Sequence, residues 1–119
     1  MTTKAPVGAG PAGRRLWSSV IEDYDLDEHE TALLVEAVRT LDLLADLEVV
    51  IKRDGPLVDS PQGLKAHPAV VEARQQRIVF ARLLAALRLP SGDEHTKAAG
   101  SRPQRRVGVR GAYGVRSVS

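Results

Sequence analysis

The chain has 119 residues, room for one small domain with tails. Only 3% of it is aromatic (Trp17, Tyr24, Phe80 and Tyr113), so a core built from Leu, Val, Ile and Ala favours helix packing over a β-sandwich. No cysteine is present, which excludes disulfides, zinc–thiolate sites and cysteine nucleophiles, and the net charge of +2 conceals a strong asymmetry along the chain.

Residues 1–13 are Gly, Pro, Ala and Thr without periodicity and read as a flexible leader. A short helix is predicted from about Arg14 to Tyr24, with Leu16, Trp17, Val20 and Ile21 on one face. Asp25-Leu26-Asp27 interrupts it, and Asp27 or its neighbour caps the next helix, with Glu28 and Glu30 where the helix dipole favours acid. From Glu28 to about Arg53 there is neither Gly nor Pro, and Gly55-Pro56 ends the run behind Lys52 and Arg53. The turn-rich residues 54–67 hold either a small hairpin or a loop. Pro68 suits the first position of a further helix, which runs to about Arg88 before Leu89-Pro90-Ser91-Gly92 stops it. The predicted fold is all-α: a short N-terminal helix and a long antiparallel helical hairpin over residues 14–90, followed by a basic, disordered arm over 91–119.

The two long helices carry matching seams. Leu34, Ala37, Leu41, Leu44, Glu48 and Ile51 follow three–four spacing in the first, as do Val70, Ala73, Arg77, Phe80, Leu84 and Leu87 in the second. Antiparallel alignment sets Leu34 beside Leu87, Leu41 beside Phe80 and Ile51 beside Val70. It also predicts an interhelical ion pair between Glu48 and Arg77, whose use is register selection more than stability. Val35, Leu43, Val49 and Val50 lie off the first seam, and Val71, Ile78, Val79 and Ala86 off the second. One hairpin cannot bury both flanks of both helices, so self-association is expected.

Residues with the spacing of a chemical site are few. His29, His67 and His95 sit in three separate segments with no ligand partner at helical spacing, so no metal site is expected. The acidic run EDYDLDEHE (22–30) lacks the spacing and the Gly of a calcium loop, and reads as helix capping or an acidic surface. Gly8-Ala-Gly10-Pro-Ala-Gly13 superficially resembles a phosphate loop, but it follows no strand and contains Pro. Neither catalysis nor a cofactor is expected. The densest apolar stretch, Leu41–Ile51, is broken by Asp42, Asp46 and Glu48, and falls short of the roughly 18 residues of a membrane span. MTTKAPVGAGPAGRR lacks an apolar signal core, so the expectation is a soluble protein retained in the cell that makes it.

Charge is the remaining signal. Residues 14–90 carry ten Lys/Arg against thirteen Asp/Glu, a net −3; residues 91–119 carry six against two, a net +4. An acidic body with a basic arm points toward nucleic acid. Lys97, Arg102, Arg105, Arg106, Arg110 and Arg116 offer forks and ammonium for phosphate, and Tyr113 offers a ring for stacking on a base. A tail that only keeps the protein in solution has the same composition.

The segment LWSSVIEDYDLDEHETALLVEAVRTLDLLADLE, a DG turn, and then HPAVVEARQQRIVFARLLAALRLP resemble small terminase subunits of tailed bacteriophages, particularly those infecting actinobacteria. The elements carrying the resemblance are Leu16-Trp17, Asp27-Glu28-His29-Glu30, Arg39-Thr40-Leu41-Asp42, and His67-Pro68 followed by Glu72-Ala73-Arg74-Gln75-Gln76; the tail RPQRRVGVRGAYGVR is similar too. The resemblance implies a non-catalytic homo-oligomer, a ring, that recognises viral double-stranded DNA and recruits the large terminase subunit in the host bacterial cytoplasm. Many such proteins bind DNA through an N-terminal helix-turn-helix. Here the leader plus one short helix is too small for that unit, and the basic arm is the candidate in its place. The alternative is a helical-hairpin interaction module, a regulator or antitoxin-like partner, whose tail folds onto another protein.

Overall fold

A computed structural model describes residues 4–90 and 103–105. In chain order they form helix α1 (Pro11–Asp23), strand β1 (Tyr24–Asp25), helix α2 (Glu28–Asp54), strands β2 (Leu57–Ser60) and β3 (Gly63–Ala66), helix α3 (Pro68–Leu87) and strand β4 (Gln104–Arg105). Helices dominate, but two short antiparallel ribbons, β1–β4 and β2–β3, correct the expectation of an all-α chain.

Local chemistry explains most boundaries. At the start of α2, Asp27 and Glu30 form a capping box: the Asp27 amide donates to Glu30 Oε1 at 2.7 Å, and the Asp27 side chain takes the amide of Glu30. Gly55, at φ +84°, ends α2 in a conformation that L side chains rarely adopt. Residues 54–67 resolve into a hairpin with Leu57 opposite Ala66 and Ser60 opposite Gly63, leaving Pro61-Gln62 as the turn. This ribbon fixes the register in which α3 returns along α2. In that register Asp54 faces His67, and Glu48 faces Arg77.

His67 caps α3: its Nδ1 accepts the Ala69 amide at 2.9 Å, so the ring proton sits on Nε2 and points at Asp54 Oδ2, also 2.9 Å away. Arg53 hydrogen-bonds the same carboxylate, and together Arg53 and His67 hold Asp54 well below the usual carboxylate range. At its far end α3 stops on Arg88 in the left-handed conformation, φ 58°.

The core sits at the open end of the hairpin, where α1 lies across α2. Trp17, Val20 and Ile21 pack with Leu34, Val38 and Leu87, and the last three are the largest fully buried side chains. Leu34 and Leu87 therefore join one cluster, whereas Leu41, Ile51, Val70 and Phe80, nearer the ribbon, are half-buried. α1 is too short to reach that end.

Two expected boundaries shift. Helix α1 begins at Pro11 rather than near Arg14, and Ala5 and Ala9 of the leader pack against the core. The arm returns to the body at Gln104–Arg105, pairing with Tyr24–Asp25, and Pro103 is buried. Tyr24 also donates its hydroxyl proton to the carbonyl of Pro90 at 2.6 Å. Tyr24→Phe is expected to lose about 1 kcal/mol, the net worth of one hydrogen bond, measured by urea denaturation at constant m-value.

Candidate functional site

The N-terminus of α1 shows a contact that sequence reasoning missed. Gly10 is the N-cap and carries no side chain to cap with, yet both amides that a local capping box would satisfy are paired. Asp42, projecting from α2, accepts the Gly10 amide on Oδ2 at 2.7 Å and the Gly13 amide on Oδ1 at 2.8 Å. One carboxylate thus caps a helix from another helix and meets the positive end of its dipole. A Cβ on Gly13 would lie 2.3 Å from Asp42 Oδ2 and 2.7 Å from Val38 Cγ1; one on Gly10 would lie 3.0 Å from Asp42 Oδ1. The Gly-rich run does receive an anion, and the anion is the chain's own. Pro11 at the first helical position was the local signal for this helix start.

The interhelical pair forms with Arg77 Nη2 donating to Glu48 Oε2 at 2.6 Å. Both side chains are about half exposed, 56% and 44%, which limits the pair to roughly 0–1 kcal/mol. It aligns the helices more than it holds them.

Asp27, His29 and Glu30 bring potential ligand atoms within 4.8 Å of one another. Asp27 and Glu30 are already engaged in the capping box, so capping accounts for their closeness. Among the described residues no helix is long and apolar enough to cross a membrane.

The helices leave apolar side chains in solvent. Val71, Ile78 and Val79 on α3 are 40–47% exposed, and Leu43 and Val49 on α2 are 40% and 65% exposed. Ile78 is nine residues from both Ala69 and Leu87, two and a half turns, so it points away from the face that packs on α2. Charge differs between the two helices. α2 carries seven acids (Glu28, Glu30, Glu36, Asp42, Asp46, Glu48, Asp54) against Arg39, Lys52 and Arg53, a net −4. α3 carries Arg74, Arg77 and Arg82 against Glu72, a net +2.

Of the arm residues expected to meet DNA, Arg105 lies in β4, with its backbone opposite Tyr24. Lys97, Arg102, Arg106, Arg110, Tyr113 and Arg116 lie outside the described residues. Arg14 and Arg15 are exposed on α1 beside Ser18, Ser19 and Glu22, on an open surface. The Arg14 guanidinium donates to the Ala9 carbonyl, which ties it to the leader.

Comparison of the chain with protein-family models, with curated proteins and with solved structures finds no match.

Proposed function

We propose that this protein is a non-catalytic, self-associating adaptor that binds viral double-stranded DNA through its basic arms and presents it to a large terminase subunit, the role of a small terminase subunit in genome packaging. The observation that carries the reading is a pair of helix surfaces of opposite charge: basic α3 with an exposed aliphatic face of Val71, Ile78 and Val79, and acidic α2 with Leu43 and Val49 exposed. Such faces complement each other between copies: α3 of one copy lies against α2 of the next. That contact is heterologous, so it closes into a ring when the rotation permits. Several arms on one ring then bind DNA with an avidity that no single arm has. The resemblance of residues 14–90 and of the tail to small terminase subunits supplies the viral and packaging part of the reading.

Light scattering on the full chain, and on a version ending at Pro90, tests assembly. The expected result is a mass of many protomers in both. Ile78→Glu is expected to reduce the full chain to monomer while leaving its helical circular dichroism unchanged, because that side chain is 43% exposed and lies outside the buried core cluster. A monomeric wild-type chain, indifferent to DNA, would sink the packaging reading. The hairpin would then stand as an interaction module whose exposed faces meet another protein.

A further inference from the structure

We propose that the acidic segment 22–30 is the resting dock of the basic arm, and that DNA must compete with it for the same arginines. The inference rests on the reading of the arm as the DNA-binding element. β4 pairs antiparallel with β1, Arg105 opposite Tyr24 and Gln104 opposite Asp25, and Pro103 is buried. The receiving segment holds six carboxylates in nine residues, Glu22, Asp23, Asp25, Asp27, Glu28 and Glu30, and neither Lys nor Arg. Glu22, Asp25, Asp27 and Glu28 are exposed, so the dock presents negative charge to whatever lies along it. β4 holds Arg105, and Arg102 and Arg106 are its neighbours in sequence.

Tyr24 joins the two ends of the intervening chain. Its hydroxyl holds the Pro90 carbonyl, where α3 hands over to the arm, and its backbone pairs with Arg105. A ribbon two residues long supplies too few hydrogen bonds to be stable by itself, so opposite charge decides whether it stays shut. A contact of that kind opens readily. A polyphosphate, with one charge about every 1.7 Å of duplex, outcompetes a short acidic peptide at low salt, and the dock lowers the arm's affinity for weak or incidental anions.

The test uses the full chain in three forms: wild type, E22Q/D25N/E28Q, and a control D46N/D59N/E72Q that changes net charge equally at exposed sites away from β1. Asp27 and Glu30 are left intact because they cap α2. Fluorescence anisotropy on a labelled random-sequence duplex at low salt is expected to show about tenfold tighter binding by the dock variant, three exposed charge contacts of ordinary size, with the control within about twofold of wild type. Equal gains in both variants would overturn the dock, since reduced repulsion from the body then explains them. Backbone hydrogen exchange without DNA gives an independent reading. The amides of Gln104 and Arg105 are expected to exchange more slowly in the wild type and the control than in the dock variant; equal exchange in the wild type and the dock variant would overturn the dock directly. Slow exchange combined with no duplex binding by any form would overturn DNA as the competitor, and with it the reading of the arm, on grounds separate from the dock itself.

Discussion

Gly13→Ala is expected to destabilise the fold by about 2 kcal/mol, although alanine is the better helix former by about 1 kcal/mol. The added methyl would stand 2.3 Å from Asp42 Oδ2 and 2.7 Å from Val38 Cγ1, so α1 must lift or Asp42 must swing away. Lifting α1 exposes Trp17, Val20 and Ile21, and swinging Asp42 leaves the Gly10 and Gly13 amides uncapped. Overpacking of this kind costs about 1–3 kcal/mol and loss of a cap about 0.5–2 kcal/mol. Asp42→Ala alone is expected to lose about 1–2 kcal/mol through the cap. The double variant should fall short of additivity by about 1 kcal/mol, because removing the carboxylate relieves the worst overlap while the Val38 contact stays. Trp17 is the only tryptophan and is 2% exposed, so its emission reports the docking of α1 directly. Full additivity with no change in Trp17 emission would refute the cap assigned to Asp42.

The second large effect concerns salt. If all six basic residues of one arm meet phosphates, the logarithm of the duplex affinity falls with the logarithm of salt at a slope of about −5 per arm, roughly a thousandfold between 50 and 200 mM. Replacing Arg102, Arg105 and Arg106 by Gln should about halve that slope and weaken binding uniformly across sequences, because phosphate contacts carry no base information. Tyr113→Ala should leave the slope almost unchanged and instead weaken single-strand binding, where a ring can stack on a base. Anisotropy titrations at several salt concentrations measure both. A wild-type slope near zero would show that the arm is not the phosphate-binding element.

The first of these effects depends on a partner 29 residues away in sequence, and this separates what was legible from what was not. The helices were legible because their signals are local: the Asp27–Glu30 box, the Gly55-Pro56 stop, and Pro68 behind His67. The hairpin register was legible too, since the seams from Leu34 to Ile51 and from Val70 to Leu87 align in one antiparallel way that sets Glu48 against Arg77. The exposed faces around Ile78 and Val49 followed from counting apolar positions that a single hairpin has no means to cover.

The cap on α1 was hidden because its acceptor is 29 to 32 residues from the amides it satisfies, and an aspartate on an exposed-looking helix face gives no local sign of that task. The Gly10 and Gly13 pattern shows that something approaches closely, without saying what. The ribbon at 57–66 was one of two readings, since a turn-rich segment of that length serves as a loop or a hairpin equally well until its ends are fixed. The return of Gln104–Arg105 to Tyr24–Asp25 had no periodicity to announce it, because two residues are too few to carry a strand pattern.

The sequence by itself thus determined the helical elements, their antiparallel pairing, the charge division between body and arm, and the presence of apolar side chains that the hairpin leaves exposed. Those properties depend on neighbours within one or two helical turns, or on sums that ignore position. The tertiary structure decided which carboxylate caps α1, that the glycine run is filled by Asp42, and where the basic arm rests against the body. Each of those is a contact between groups brought together only when the chain closes on itself, and a linear pattern carries no record of that distance.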